Sequence, residues 1–229
     1  MKVTWSGIGM IEGSGKLGGT VMLKSKSGPS ARVKTKGVNP RTNSQITRRA
    51  ALSARSQAWR GLTAAQRDAW NAAAASGAFS QKSVLGRSYN PSGSQLYGKL
   101  NLNILLLGGS AITEPPLKTA LTQVLLTALS AADATPALSL TFTGTLGANE
   151  ALLIYATGNL SPGITRPGDS QYRLITTYTS TSPANILAAF QAIYGDPVED
   201  QKIFVKALIG DDTTGVTAQA GAVSAIVAT

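Results

Sequence analysis

The chain of 229 residues contains neither cysteine nor histidine. Their absence removes disulfide bonds, thiolate and imidazole metal ligands, cysteine nucleophiles and a histidine general base. Stability must therefore come from packing or from assembly with other chains. A serine-nucleophile motif is missing as well, so we predict a protein that is not an enzyme, with no catalytic residues, no cofactor and no metal site.

Long apolar runs are also missing. The first residues do not form the apolar core of a secretory signal, and the strongest apolar stretch, around residues 104–107, is too short to span a bilayer. We therefore expect a protein that is made in the cytoplasm and has no membrane partner.

Acidic residues are scarce in the first hundred positions. Residues 1–100 hold sixteen of the 21 Lys and Arg but only two acids, Glu12 and Asp68, which gives about +14. Residues 101–229 hold five bases and nine acids, which gives about −4. This asymmetry predicts a basic part that faces an acidic or polyanionic surface and a second part that faces solvent.

Residues 1–40 combine short β-prone stretches with glycine clusters, which pair weakly because glycine supplies no side chain to pack. The pattern predicts an extended, glycine-rich, basic β arm or loose hairpins. Side chains two residues apart point the same way along a strand. The bases expected to line one face of the arm are Lys24, Lys26, Arg32, Lys34 and Lys36.

Residues 41–110 have helical periodicity. Pro40 ends the strand pattern, and either Thr42 or Asn43 can cap a helix that runs to about residue 61. Thr63 and Gln66 match a capping box for a second helix, to about residue 75. A third apolar helix is predicted over residues 93–107. We expect Trp59 and Trp70 to have structural roles, packing across the corner between the first two helices.

Glu114-Pro115-Pro116 predicts a domain boundary, because successive prolines continue neither a helix nor a sheet ladder. A short helix is expected over residues 183–194, with Ser182 as its cap. The remaining β-prone stretches lie at residues 121–129, 137–143, 151–157, 172–180, 203–209 and 221–228. Residues 117–229 are therefore predicted to form an immunoglobulin-like or fibronectin-like β-sandwich, and the whole chain an α+β fold.

The helical region carries arginines that suit an anionic partner. Guanidinium groups bind the carboxylates of neighbouring subunits in bidentate geometry, but they also neutralise the phosphates of nucleic acids. No helix-turn-helix, zinc-finger or RNA-recognition pattern is present. The arginines expected to anchor the protein are Arg41, Arg48, Arg49, Arg55, Arg60 and Arg67.

Two acid pairs, Glu199-Asp200 and Asp211-Asp212, lie in predicted loops. Paired carboxylates can bind calcium or hydrolyse glycosidic bonds, but the spacing matches no known ligand loop. We interpret both pairs as solvated turn residues.

The segments GVNPRTNSQITRR (37–49), AWRGLT (58–63) and QRDAWN (66–71) resemble a group of proteins encoded by tailed bacteriophages and prophages. These proteins have a glycine-rich start, a basic Asn-Pro-Arg-Thr stretch, a tryptophan-containing helix pair and a variable β-sandwich-like end. The resemblance covers roughly residues 5–110. It implies a virion-associated structural protein.

Three functions follow as expectations. The first is a head decoration or capsid-stabilising (cement) subunit, and the second is a tail, connector or fibre-associated subunit. In both structural roles, the partners would be major capsid or tail subunits and further copies of the chain. The protein would therefore be a homo-oligomer located in the virion. The third is a nucleic-acid-binding protein that uses the arginine-rich helices, which we do not favour.

Overall fold

A computed structural model describes residues 2–5, 10–25, 28–35, 39, 41–82 and 86–228. The chain is α+β, with four α-helices and several antiparallel sheets in this described part. It divides into two compact units. We call residues 1–98 with 113–115 the basic unit, and residues 99–112 with 116–229 the β unit.

The basic unit begins with a four-stranded antiparallel meander in the order β1-β2-β3-β4. Each strand pairs with its neighbour in sequence, as short connections favour. Gly18, at φ +53°, forms the tight turn between the second and third strands. The strands are β1 (Lys2–Trp5), β2 (Met10–Leu17), β3 (Thr20–Ser25) and β4 (Gly28–Val33). That this segment forms an arm stays a prediction.

Three helices follow, and their limits confirm the periodicity in the sequence. They are α1 (Asn43–Gly61), α2 (Ala64–Ala75) and α3 (Gly93–Leu107). A short antiparallel hairpin lies between α2 and α3, and its strands, β5 (Gln81–Lys82) and β6 (Ser88–Tyr89), have two residues each. Both hydrogen bonds of the predicted capping box at Thr63 and Gln66 are present at the start of α2. None of the helices in the described part has the length and apolarity needed to cross a bilayer.

The β unit contains two antiparallel sheets, in the orders β10-β9-β12-β13 and β11-β8-β7. A helix, α4 (Leu187–Tyr194), precedes β12. The strands are β7 (Leu125–Ala132), β8 (Ala137–Thr143), β9 (Glu150–Ala156), β10 (Arg173–Tyr178), β11 (Ala184–Asn185), β12 (Lys202–Asp211) and β13 (Thr217–Ile226).

Both sheets of the β unit contribute to one apolar core. Alternate residues of β8 and β12, such as Leu140 and Val205, are fully buried beside Phe190 of α4. On the other face of the four-stranded sheet, Leu107 of α3 packs against Leu153. The central strands are therefore covered on both faces, which explains their continuous apolar composition. The finer assignment to an immunoglobulin-like or fibronectin-like sandwich stays a prediction.

One helix limit predicted from the sequence is wrong. α4 begins at Leu187, and Ser182 does not cap it, because the Ser182 hydroxyl accepts a hydrogen bond from the Phe142 amide at 3.0 Å. The residues of β11, which follow Ser182, pair with β8. This pairing with a distant strand delays the start of the helix.

Candidate anion-binding surface

Helix α1 carries four arginines and no acidic residue along its 19 residues. Its first turn is capped by the Thr42 hydroxyl, which accepts a hydrogen bond from the Gln45 amide at 3.4 Å. Arg60 lies in the last turn, where a positive charge is favourable beside the negative end of the helix dipole. The positive charges of α1 therefore have no acidic side chain within the helix to neutralise them.

Most of α1 faces solvent. Of its described side chains, only Gln45, Ala51, Arg55 and Trp59 are half-buried, and the others are exposed. The exposed side chains include the apolar Ile46 (52%) and Leu52 (57%). Most of the stability of a helix in a folded protein comes from packing of an apolar stripe. The exposed side of α1 is therefore a surface that a partner can cover.

A shallow groove of about 400 Å³ runs along this exposed side. We call it the arginine groove. Arg49 and Arg60 lie at its two ends and Leu52 lies between them. The guanidinium of Arg49 also donates a hydrogen bond to the Asn39 side chain at 2.9 Å. The remaining lining residues are Ser53, Ser56 and Gln57, so the groove presents hydroxyl and amide groups between two positive charges.

An aromatic cluster within the basic unit fixes the carboxyl end of α1. The ring centroid of Tyr97 lies 5.5 Å from that of Trp59 and 5.3 Å from that of Trp70. Trp70 is completely buried, and its indole donates a hydrogen bond to the Thr113 carbonyl at 2.8 Å. Both tryptophans thus contact Tyr97 of α3, which was not singled out in the sequence. That they pack across the corner between α1 and α2 stays a prediction.

The other predicted anchoring residues lie at several places in the basic unit. Arg41 precedes α1 at φ 50°, and Arg48 and Arg67 are exposed on α1 and α2. Arg32 and Lys34 are exposed at β4 and just beyond it. Lys24 lies in β3, whereas Lys26, Lys36 and Pro40 lie outside the described residues. Of the eleven predicted bases, the structure brings Arg49 and Arg60 together in one groove.

The charges of the two units differ in sign. The basic unit contains fifteen Lys and Arg against three acids, a formal charge of +12, and the β unit contains six against eight, a formal charge of −2. The positive field of the chain therefore belongs to the unit that carries α1.

Two acids of the β unit hold loops in place. Glu150 accepts hydrogen bonds from the amides of Thr122 and Gly147, both at 2.8 Å, and Asp211 accepts three from Thr213 and Thr214. Burial acts to raise the pKa of each carboxyl group, but these hydrogen bonds outweigh it and leave both pKa values below their usual range. Asp211 is therefore not the solvated loop residue expected from the sequence, but the partly buried last residue of β12, which holds the turn that follows.

A third acid of the β unit is neutralised by a lysine. The ammonium group of Lys206 lies 3.0 Å from the Asp169 carboxylate and 4.2 Å from the Tyr172 ring centroid. The hydrogen bond and charge of Lys206 lower the pKa of Asp169. Burial, and then the charge of Asp169, raise the pKa of Tyr172.

Residues 196–200, between α4 and β12, form an acidic loop with the sequence Asp-Pro-Val-Glu-Asp, in which Pro197 is buried. Asp196, Glu199 and Asp200 are exposed, and Val198 between them is 47% exposed. The Glu199 amide donates a hydrogen bond to Asp133 at 3.2 Å, so the backbone of the loop is held in place.

No group of three or more His, Cys, Asp or Glu suited to a metal ion occurs in the described part of the chain.

No protein-family model matches the chain, and no curated protein or solved structure shows significant similarity to it. The resemblance to phage-encoded proteins therefore stays a prediction from sequence motifs.

Proposed function

We propose that the chain is a non-enzymatic structural subunit of a tailed-bacteriophage particle, with a head decoration or capsid-stabilising role. The basic unit attaches the protein to acidic surfaces of the particle, and the β unit is presented to solvent. The protein is made in the host cytoplasm and functions in the virion. The proposal rests on the resemblance of residues 5–110 and on the form of α1.

The observation that carries the proposal is the exposed arginine side of α1. Surface helices of soluble proteins usually alternate charges of opposite sign, because pairs four residues apart stabilise the helix. α1 has four arginines, no acid and two exposed large apolar side chains, Ile46 and Leu52. Such a surface is suited to a partner that supplies both carboxylates and apolar contacts.

An acidic protein surface is favoured over nucleic acid as the partner. Binding of single strands uses aromatic side chains on which bases stack. Trp70 is completely buried, and the Trp59 ring packs against Tyr97. The arginines remain able to contact phosphates, so nucleic-acid binding is retained as the competing function, to be tested by the salt dependence of DNA affinity.

The finer architecture belongs to the same proposal. The two sheets of the β unit, with seven strands and one shared core, support an immunoglobulin-like or fibronectin-like domain. The strands of residues 2–33 support an extended arm that adds to a neighbouring subunit. A tail, connector or fibre-associated subunit would use the same contacts and differs only in location.

The experiment that tests the function is the isolation of particles from the bacterium that encodes the chain. Particles are separated from free protein on a density gradient, and the chain is detected by quantitative mass spectrometry against the major shell protein. We expect a fixed ratio of chain to shell protein across particle fractions. Absence from particles, with a steeply salt-dependent affinity of the full chain for DNA, would instead support the nucleic-acid function.

Labelled antibody against the chain locates it on those particles by electron microscopy. Labelling of heads supports the decoration role, and labelling confined to tails supports the second structural role.

A further inference from the structure

The arginine groove on α1 has no acidic residue in its own helix and lies on the side that faces solvent. Its partner must therefore supply carboxylates together with an apolar side chain that covers Leu52, which is 57% exposed. Such a set of groups is present elsewhere in the same sequence, in the acidic loop of residues 196–200.

We infer that the arginine groove of one copy binds the acidic loop of a second copy. The inference rests on the proposed function, since it names one acidic partner of the basic unit. Arg49 and Arg60 pair with carboxylates of the loop, and Leu52 contacts Val198. The bases outside the groove, such as Arg48 and Arg67, remain for contacts with other proteins of the particle.

The two surfaces are complementary in charge and in apolar content. The loop carries three exposed carboxylates in five residues, and Val198 between them is 47% exposed. The groove carries two guanidinium groups with Leu52 between them. Arginine and carboxylate form the strongest of the common ion-pair geometries, with two parallel hydrogen bonds.

One loop can reach both ends of the groove. Arg49 and Arg60 are eleven residues apart, which is about 16 Å along a helix axis. The loop ends in a turn, where the Gln201 amide donates a hydrogen bond to the Val198 carbonyl at 3.1 Å, so residues 196–200 span less than the ~14 Å of an extended segment. Long, flexible arginine side chains cover the remaining distance, so both can reach carboxylates of one loop.

Other acidic groups of the β unit are more fully engaged than Asp196 of the loop, whose carboxylate accepts a hydrogen bond from the Gln191 side-chain amide at 2.6 Å. Glu150 accepts two hydrogen bonds and Asp211 accepts three, and Asp169 is neutralised by Lys206. A second α1 is disfavoured, because two helices with four arginines each and no acids repel one another.

The contact joins two different surfaces of the same chain. Such heterologous contacts build rings when the rotation between copies closes, and open chains when it does not. Exposed ion pairs are individually weak. We therefore expect association that rises with protein concentration and falls with salt.

Sedimentation velocity of the full-length protein over a concentration series tests the inference. The wild-type chain is expected to increase in average mass with concentration. The double variant Arg49→Glu with Arg60→Glu is expected to need at least ~10-fold more protein for the same average mass, since like charges then face each other. The matched control is Arg48→Glu with Arg67→Glu, which makes the same charge change outside the groove and retains association.

A charge exchange gives the sharper test. Asp196→Arg with Glu199→Arg is expected to weaken association as strongly as reversal of the groove, and all four substitutions in one chain are expected to restore it. Asp133 and Asp200 stay unchanged, because Asp133 accepts the Glu199 amide and Asp200 has φ 59°. Circular dichroism checks that each variant is folded. If Arg49→Glu with Arg60→Glu does not fold, the milder variant Arg49→Gln with Arg60→Gln takes its place.

Three results would overturn the inference: a monomer at every concentration, equal weakening by the groove and control variants, or no restoration in the four-residue exchange. These results are separate from the test of the proposed function. A monomeric chain that is present in particles overturns only the inference. An associating chain that is absent from particles overturns only the proposed function.

Discussion

The indole nitrogen of Trp70 donates a hydrogen bond to the carbonyl oxygen of Thr113 at 2.8 Å, across 43 residues of sequence. The same ring is completely buried and makes an edge-to-face contact with Tyr97. This one side chain therefore connects α2, α3 and the segment after α3 within the basic unit.

Replacement of Trp70 by Phe should destabilise the protein. The smaller ring leaves a gap, and the Thr113 carbonyl loses its donor, so we expect a loss of about 2–4 kcal/mol in the free energy of unfolding. Urea denaturation measures the loss. Tyr89→Phe, which removes a 3.4 Å hydrogen bond to Gln81, is the control and should cost less than about 1 kcal/mol.

Thr63→Ala should weaken the start of α2. The substitution removes the hydroxyl that accepts the Gln66 amide at 3.2 Å, and N-cap losses of this kind cost about 1 kcal/mol. Thermal denaturation followed by circular dichroism measures the effect. Thr47→Ala within α1 is the control, and it should leave stability within about 0.5 kcal/mol of wild type because it caps no helix. Equal losses for both variants would contradict the capping role.

Gly215→Ala should destabilise the β unit strongly. Gly215 has φ +70°, and an added Cβ would collide with the Leu100 carbonyl oxygen. Backbone strain and this collision together predict a loss of about 3 kcal/mol or more. The matched control is Gly98→Ala in α3, where an added Cβ meets nothing within 4 Å. This substitution should stabilise the helix by about 0.5–1 kcal/mol, because alanine has the higher helix propensity. A tolerated Gly215→Ala would contradict the packing of α3 described here.

Stability should fall at acid pH through Glu150 and Asp211. Each has a pKa that is lower in the folded than in the unfolded chain. Their contribution is therefore present above the unfolded values, near pH 4, and is lost as pH falls through the folded values. At neutral pH, Asp211→Asn should lower the free energy of unfolding by about 1 kcal/mol or less, because the carboxyl group is partly exposed. Below about pH 4, the free energies of unfolding of the variant and of wild type should converge. A difference that is independent of pH would contradict this role.

The sequence predicted α1, α2 and α3 well because the signals for these helices are local. The limits of α3 agree with those predicted, and α1 ends at the predicted residue 61. Its cap is Thr42, one of the two candidates. Capping residues, periodicity and terminal glycines all act within a few residues, so they can be read without knowledge of the fold.

Contacts between distant segments could not be predicted in the same way. The predicted start of α4 was wrong because Ala184 and Asn185 do not belong to the helix but pair with Leu140 and Ser139 of β8. Glu150 was missed because one of its donors, Thr122, lies 28 residues away. The spacing of the groove residues from Arg49 to Arg60 is helical and was visible in the sequence, but which side of α1 is exposed depends on the fold.

The central claim is that exposed bases of the basic unit attach the chain to an acidic partner in the particle. The most direct measurement is the number of copies per purified particle for wild type and for Arg48→Glu with Arg67→Glu, over increasing salt. The matched control is Lys118→Glu with Arg166→Glu, the same charge change in the β unit. We predict that salt releases the wild-type chain, that the basic-unit variant is reduced severalfold, and that the control is unchanged. Equal occupancy for all three proteins at every salt concentration would contradict the account.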